Sequence, residues 1–230
     1  TVPCEFRAVT YSHQKIVYAI LFSCRAGILK DFARNPRHLG AEIGMTMVLH
    51  THNRKLDFHP HIHVVIPGGG VDRLRRQWKK TKGRYLFNHK ALATVFRARF
   101  LDALNKEGLP IPQGIRPEWV VDCANVGKGI TALKYLSRYL YRGVISEKNI
   151  VSNENGLVTF KYVESKSGEV RYRTLKGEDF LHLIMQHVLP KGFGRIMDYG
   201  FLHSNTKKLL FLVQLILHVR INKRKLCPRP

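Results

Sequence analysis

"LHTHNRKLDFHPHIHVVIPGGG", Leu49 to Gly70, carries five histidines within fourteen residues: His50, His52, His59, His61 and His63. Side chains alternate between the two faces of a β-strand, so His61 and His63 share one face while Ile62 turns to the other. The triplet reads as two imidazoles side by side with an apolar anchor behind them. His50 and His52 repeat that two-residue spacing in "GMTMVLHTH", Gly44 to His52, which reads as the preceding strand. Paired as an antiparallel hairpin through the polar connection "NRKLDF", the two strands bring their imidazoles to a common surface. His61 and His63 are then expected to ligate a divalent metal, with a third ligand supplied from the facing strand by His50 or His52. His59, beside Pro60, falls at the mouth of the loop. Surface histidines without a ligand are the plainer alternative; the shared parity on both arms weighs against it. No HExxH helix with a glutamate base accompanies them, so a simple zinc hydrolase does not follow, and a nucleophile must come from elsewhere.

Outward from the hairpin, periodicity outlines the rest of the chain. "FRAVTY" near the start reads as a short strand. "QKIVYAILFSCRAGILKDFA" repeats apolar residues every three to four positions, as a buried helix does, and "NPRHLG" breaks it. "RRQWKKTKGRYLF" suggests a further basic strand or hairpin, and "HKALATVFRARFLDALNKEG" a helix stopped at Gly108. "EWVVDCANV" reads as a strand, "ITALKYLSRYLYRG" as a helix closed by Gly143, and "LVTFKYVES" with "EVRYRTL" as a hairpin. "GEDFLHLIMQHVLP" is an amphipathic helix ended by Pro190, and the last segment is helical and then strongly basic. Interleaved strands and helices with hairpins indicate an α+β fold with a mainly antiparallel sheet.

The 230 residues suffice for one sizeable domain with a buried core, and 44% hydrophobic residues exclude a disordered tail. A formal charge of +23 calls for a polyanionic partner, nucleic acid or an anionic membrane. The longest apolar run, "LLFLVQLILHV" from Leu209 to Val219, is shorter than the about 20 residues a spanning helix needs, which favours nucleic acid over membrane. "TVPCEFRAV" has no signal-peptide pattern, and Cys4, Cys24, Cys123 and Cys227 have no CxxC spacing. Free thiols in a reducing, cytoplasmic setting are the expectation.

"LKYLSRYLYRG" supplies a candidate nucleophile. Tyr135 and Tyr139 stand four apart, one helical turn on one face, and Arg138 and Arg142 form a second such pair suited to a phosphate backbone. A phenolate attacks phosphorus to give a covalent phosphotyrosine. Its pKa of about 10 calls for a cation that offsets the charge building on the phosphate. Tyrosine packing on an amphipathic helix is the alternative, and Tyr141 shows how tyrosine-rich this helix is.

Three blocks, "HPHIHVVIPGGG", "KYLSRYLYRGVIS" and "FLHLIMQHVLPKGFGRIMDYGFL", resemble the signatures of the two-tyrosine insertion-sequence transposases. These belong to the HUH (histidine-hydrophobic-histidine) endonuclease superfamily and include the common-region elements. The likeness runs from about Phe6 to His203. It implies an HUH-type catalytic domain over residues 1–203 with a palm-like antiparallel sheet, followed by a basic helical extension over 204–230. It further implies nicking and rejoining of single-stranded DNA at element ends, with a tyrosine joined to the 5′ phosphate. On this resemblance His61 and His63 are the paired ligands, His50 is preferred to His52 as the third, and Tyr135 and Tyr139 are the nucleophiles. The implied cofactor is Mg²⁺ or Mn²⁺, and imidazole suits Mn²⁺ better. The expected location is the bacterial cytoplasm, at the nucleoid or a plasmid. A replication initiator or relaxase, or a DNA-binding remnant without activity, are the alternatives.

Departures from the family pattern are specific. The family's usual N-terminal cysteine-rich zinc segment has no counterpart, a terminal CPxCG-like knuckle is reduced to "LCPRP", and an arginine before "YG" is replaced in "IMDYG". A shortened chain is one expectation. For DNA contacts, "DRLRRQWKKTKGRY" offers Arg75, Arg76, Lys79, Lys80 and Arg84 to phosphates and Trp78 to unpaired bases, alongside Arg138 and Arg142.

Overall fold

The structure, a computed structural model, describes residues 2–81, 86–127, 129–140, 143–164 and 167–219, with the side chains of 138–140 excepted. Among the described residues it is α+β, with three small antiparallel sheets flanked by helices. No described helix is long and apolar enough to cross a membrane.

The core forms where two long helices cover one face of the first sheet. α2 (Gln14–Arg34) buries Tyr18, Leu21 and Phe22, and α3 (His89–Lys106) buries Phe96, Phe100 and Leu104. Asn88 caps α3 by accepting from the backbone of Lys90 and Ala91, at 2.9 and 3.2 Å. The buried residues of both helices share one core with Met45, Met47 and Leu49 of β1 (Gly44–His52), whose alternate side chains are each at most 1% exposed. β1 is central in this sheet, with β2 (Phe58–Val65) on one side and, from far down the chain, β8 (Ile196–Gly200) on the other.

A second unit follows "GGG". β3 (Gly69–Asp72) and β4 (Gln77–Lys80) form a hairpin, packed by α6 (Lys207–Ile216) through Leu209 and Val213. A third sheet, β5 (Ile150–Glu154), β6 (Leu157–Val163) and β7 (Val170–Lys176), is covered by α5 (Gly177–Met185) around Val158, Phe160 and Phe180. The expected hairpin, its helix and the two long helices all occur.

Two local expectations are corrected, and one strand appears where no element was expected. "FRAVTY" is helical, in a 3-10 turn and then α1 (Arg7–Ser12). Phe6 and Thr10, four apart, are buried and Val9 is half-buried while Ala8 is exposed; a strand would turn Ala8 to the same face as Phe6 and Thr10, whereas a helix turns it away. "EWVVDCANV", residues 118–126, is not a strand. Trp119 is its buried anchor, edge-on to Phe6 and Phe96 with ring centroids 5.8 and 5.3 Å away, with Val121 and Cys123 half-buried against the same core, while Val120 is 75% exposed. "IMDYG" is a strand, β8, which takes the free edge of β1.

Candidate functional site

The β1–β2 register sets His50 directly opposite His61 and Val48 opposite His63. Strand parity therefore turns His50, His61 and His63 to one face and commits Leu49, Ile62 and Val64 to the core. The imidazole centroids lie 5.4 Å (His50–His61), 4.8 Å (His50–His63) and 4.9 Å (His61–His63) apart. One nitrogen from each ring lies within 4.8 Å of the others, so the three can hold a metal ion. Small rotamer adjustments bring them to bonds of about 2.1 Å, and three nitrogen donors leave coordination positions open.

The electrostatics suit that role. His61 Nδ1 donates to the His59 carbonyl at 2.7 Å, which leaves Nε2 with its lone pair. Burial above all, with the neighbouring His63, His59 and His50 acting in the same direction, pushes the His61 pKa down to about 3, against the opposing effect of that backbone bond. A ring held neutral at pH 7 is competent to bind metal. Three imidazoles with no carboxylate among them favour a transition-type divalent ion over Mg²⁺.

His52 lies outside this trio. The β1–β2 register shifts between His50 and His52, and His52 pairs with Phe58. Its ring stacks parallel to that of His50, 6.1 Å away, and lies 5.0 Å from His187. His59 flanks His61 at 5.3 Å.

Tyr135 is half-buried on α4 (Ile130–Leu140). The side chains of Arg138 and Tyr139, and the whole of Arg84 and Arg142, lie outside the described residues. In the β3–β4 hairpin, two of the expected DNA contacts are engaged by the protein itself. Trp78 packs on Phe201 at 5.9 Å and over Gly69, where a Cβ would lie 2.6 Å from the indole nitrogen. Lys79 Nζ pairs with Asp72 at 2.9 Å and donates to the Gly40 carbonyl at 2.8 Å. Arg75, Arg76 and Lys80 are exposed, with Arg76 in a left-handed turn position and Arg75 3.8 Å from Asp72.

Two residues near the site had no role assigned from sequence. His187 sits inside a block quoted for its family likeness, yet nothing in its spacing links it to residues 130 positions earlier; its Nε2 donates to the Leu56 carbonyl at 2.9 Å. Asp198, at the departure in "IMDYG", accepts a hydrogen bond from the Thr46 hydroxyl across the β1–β8 ladder, so the change is absorbed within the sheet.

Comparison with known proteins adds to this geometry. Residues 44–209 match the family model Y2_Tnp, described as "Putative transposase". The chain is 35% identical over 231 aligned positions to "Putative transposase y4qJ" of Sinorhizobium fredii (strain NBRC 101917 / NGR234), covering 90% of this chain and 58% of that protein. It is 28% identical over 181 positions to "Transposase for insertion sequence element IS801" of Pseudomonas savastanoi pv. phaseolicola, covering 71% of this chain and 44% of that protein. The chain thus spans about half the length of these curated relatives. No solved structure matches.

Proposed function

This chain belongs to the Y2_Tnp transposase family, and on that premise we propose that it carries the catalytic centre of an insertion-element transposase of the HUH type, acting on single-stranded DNA by a rolling-circle-like route. The observation that carries the reading is the convergence of His50, His61 and His63 on one sheet face. A remnant that had lost its chemistry has no need to keep three imidazoles in mutual reach at the cost of burying one of them.

In this reading His50, His61 and His63 hold a divalent cation, Mn²⁺ in preference to Mg²⁺. When bound, the cation polarises the scissile phosphate and offsets its negative charge. Tyr135 or Tyr139 attacks phosphorus: a phenolic Oη–P bond forms, the P–O3′ bond breaks, and the phenolic proton passes to solvent. The chain is left joined to the 5′ phosphate, and a 3′ hydroxyl is released for strand transfer. Because one phosphoester replaces another, the step stores the bond's energy for rejoining. Two tyrosines allow cleavage and rejoining to alternate between strands. Burial keeps His61 neutral while its bond to the His59 carbonyl orients the ring, and the exposed Arg75, Arg76 and Lys80 guide the phosphate backbone together with Arg84, Arg138 and Arg142.

The test is incubation of the chain with end-labelled single-stranded DNA from insertion-element termini in Mn²⁺, followed by denaturing electrophoresis. A covalent protein–DNA adduct is expected. It should fall at least about a thousandfold in rate when both Tyr135 and Tyr139 become Phe, and disappear with chelator. Tight binding with no adduct would identify a DNA-binding remnant. Adduct at a replication origin but not at element ends would identify an initiator.

A further inference from the structure

The loop joining the two histidine strands is held from outside the hairpin. Across residues 53–57, Asn53 Oδ1 accepts from the backbone of Lys55 and Asp57, and Leu56 adopts φ +68°, a left-handed conformation that branched aliphatic residues rarely take. That conformation persists because Leu56 is inserted into the core of the β5–β7/α5 unit, 3% exposed, among Val158, Phe160 and Phe180. Around it, Arg173 donates to the Lys55 carbonyl at 2.7 Å and to Asp57 at 2.8 Å. Just beyond α5, His187 donates to the Leu56 carbonyl at 2.9 Å.

His187 does more than close the loop. It is 6% exposed, its ring stacks on Phe58 (6.3 Å, 11° between planes), and it lies 5.0 Å from His52. His52 in turn lies parallel to His50. This row ends at the one irregular point of the β1–β2 ladder, the register shift between His50 and His52. Side chains alternate with period two, so a slip of one residue there would point His50 away from His61 and His63 and put Leu49 or Thr51 in its place.

We propose that His187 is a positioning residue for the metal centre: by locking the Leu56 loop and backing His52, it holds the register that presents His50 to His61 and His63. The β5–β7/α5 unit thereby sets metal affinity without supplying a ligand. The proposal rests on the reading of the triad as a metal site.

Its test is titration of the full chain, free of DNA, with Co²⁺, read by calorimetry and by the visible absorption bands. His187→Ala should weaken Co²⁺ binding about tenfold and change the band shape, as loss of outer-layer support does at metal sites. His187→Gln, whose side-chain amide can donate to the Leu56 carbonyl, should recover most of the affinity, and Tyr172→Ala, exposed on the same unit, should leave it unchanged. Wild-type affinity and bands in His187→Ala, or a glutamine variant as weak as alanine, would overturn the proposal. Should the alanine variant lose its far-ultraviolet circular dichroism, Arg173→Gln decides: a several-fold loss of affinity supports the clamp, and no loss overturns it. Absence of Co²⁺ binding by the wild type would sink the metal reading itself, a result distinct from binding that ignores His187.

Discussion

His61 places a titratable ring where burial and three neighbouring imidazoles resist its protonation, and this has a consequence for stability. Its pKa is about 3 in the folded chain against 6.5 for an unperturbed ring, so between those values the unfolded chain binds more protons. The folded state therefore keeps this contribution above pH 6.5 and loses it as pH falls toward 3, at no more than about 1.4 kcal/mol per pH unit. Burial lowers His59 and His187 in the same direction. Urea midpoints of the metal-free protein should fall between pH 7.5 and 5, and His61→Gln should flatten that profile; an identical slope in the variant would assign the effect to other groups. Ligand identity can be tested at the same scale. His50→Ala should weaken Mn²⁺ or Co²⁺ by about a hundredfold, and His52→Ala by much less, because only His50 has a nitrogen in the trio. The reverse order would move the third ligand to His52.

Between elements, the β1–β8 junction is closely fitted at the end of β1 away from the histidines. Gly44 and Gly200 face each other in the ladder; a Cβ on Gly44 would lie 2.6 Å from the Phe201 ring, and one on Gly200, at φ +62°, would collide with the Ile43 carbonyl. Gly200→Ala should cost about 2–4 kcal/mol and lower the melting temperature by about 5–10 °C in a thermal scan. A melting point within a degree of wild type would mean that the strand end is free to shift. This junction also shows where sequence reading stops. Long helices announce themselves by period, and α2 and α3 fall where the apolar spacing puts them. Short segments do not: β8 is five residues long and pairs with a strand about 150 positions earlier, so no local pattern distinguishes it from loop. "FRAVTY" has strand-forming residues, yet the burial of Phe6 against Phe100 and Trp119 decides for helix.

For the whole molecule the dominant fact is 39 basic residues against 16 acidic ones. Part of that excess is spent internally, as where Lys79 is engaged by Asp72 and Arg173 by Asp57. The rest is available to phosphates. If five phosphates of a single strand are neutralised, affinity should fall about a hundredfold between 50 and 200 mM salt. Fluorescence anisotropy with a labelled oligonucleotide measures that slope. A flat response would remove the polyanion reading of the charge. Arg75→Ala with Arg76→Ala should reduce the slope by about one to two, whereas Trp78→Ala should chiefly destabilise the β3–β4 hairpin, since its indole is packed on Phe201.

The sequence by itself determined the histidine alternation on two neighbouring strands, the long helices, the β6–β7 hairpin and the cationic surplus, all of which are local or additive properties. Strand parity leaves His50 and His52 open and the family resemblance prefers His50; the tertiary structure brings His50 to His61 and His63, and it alone decides that His52 turns toward His187 and that Leu56 is seated in a separate core. The reason is physical. Period-two alternation tells which side chains share a face within a strand, but the pairing of two strands is set through space. A single register shift after His50, held by contacts from residues more than a hundred positions away, chooses among imidazoles that are equivalent along the chain.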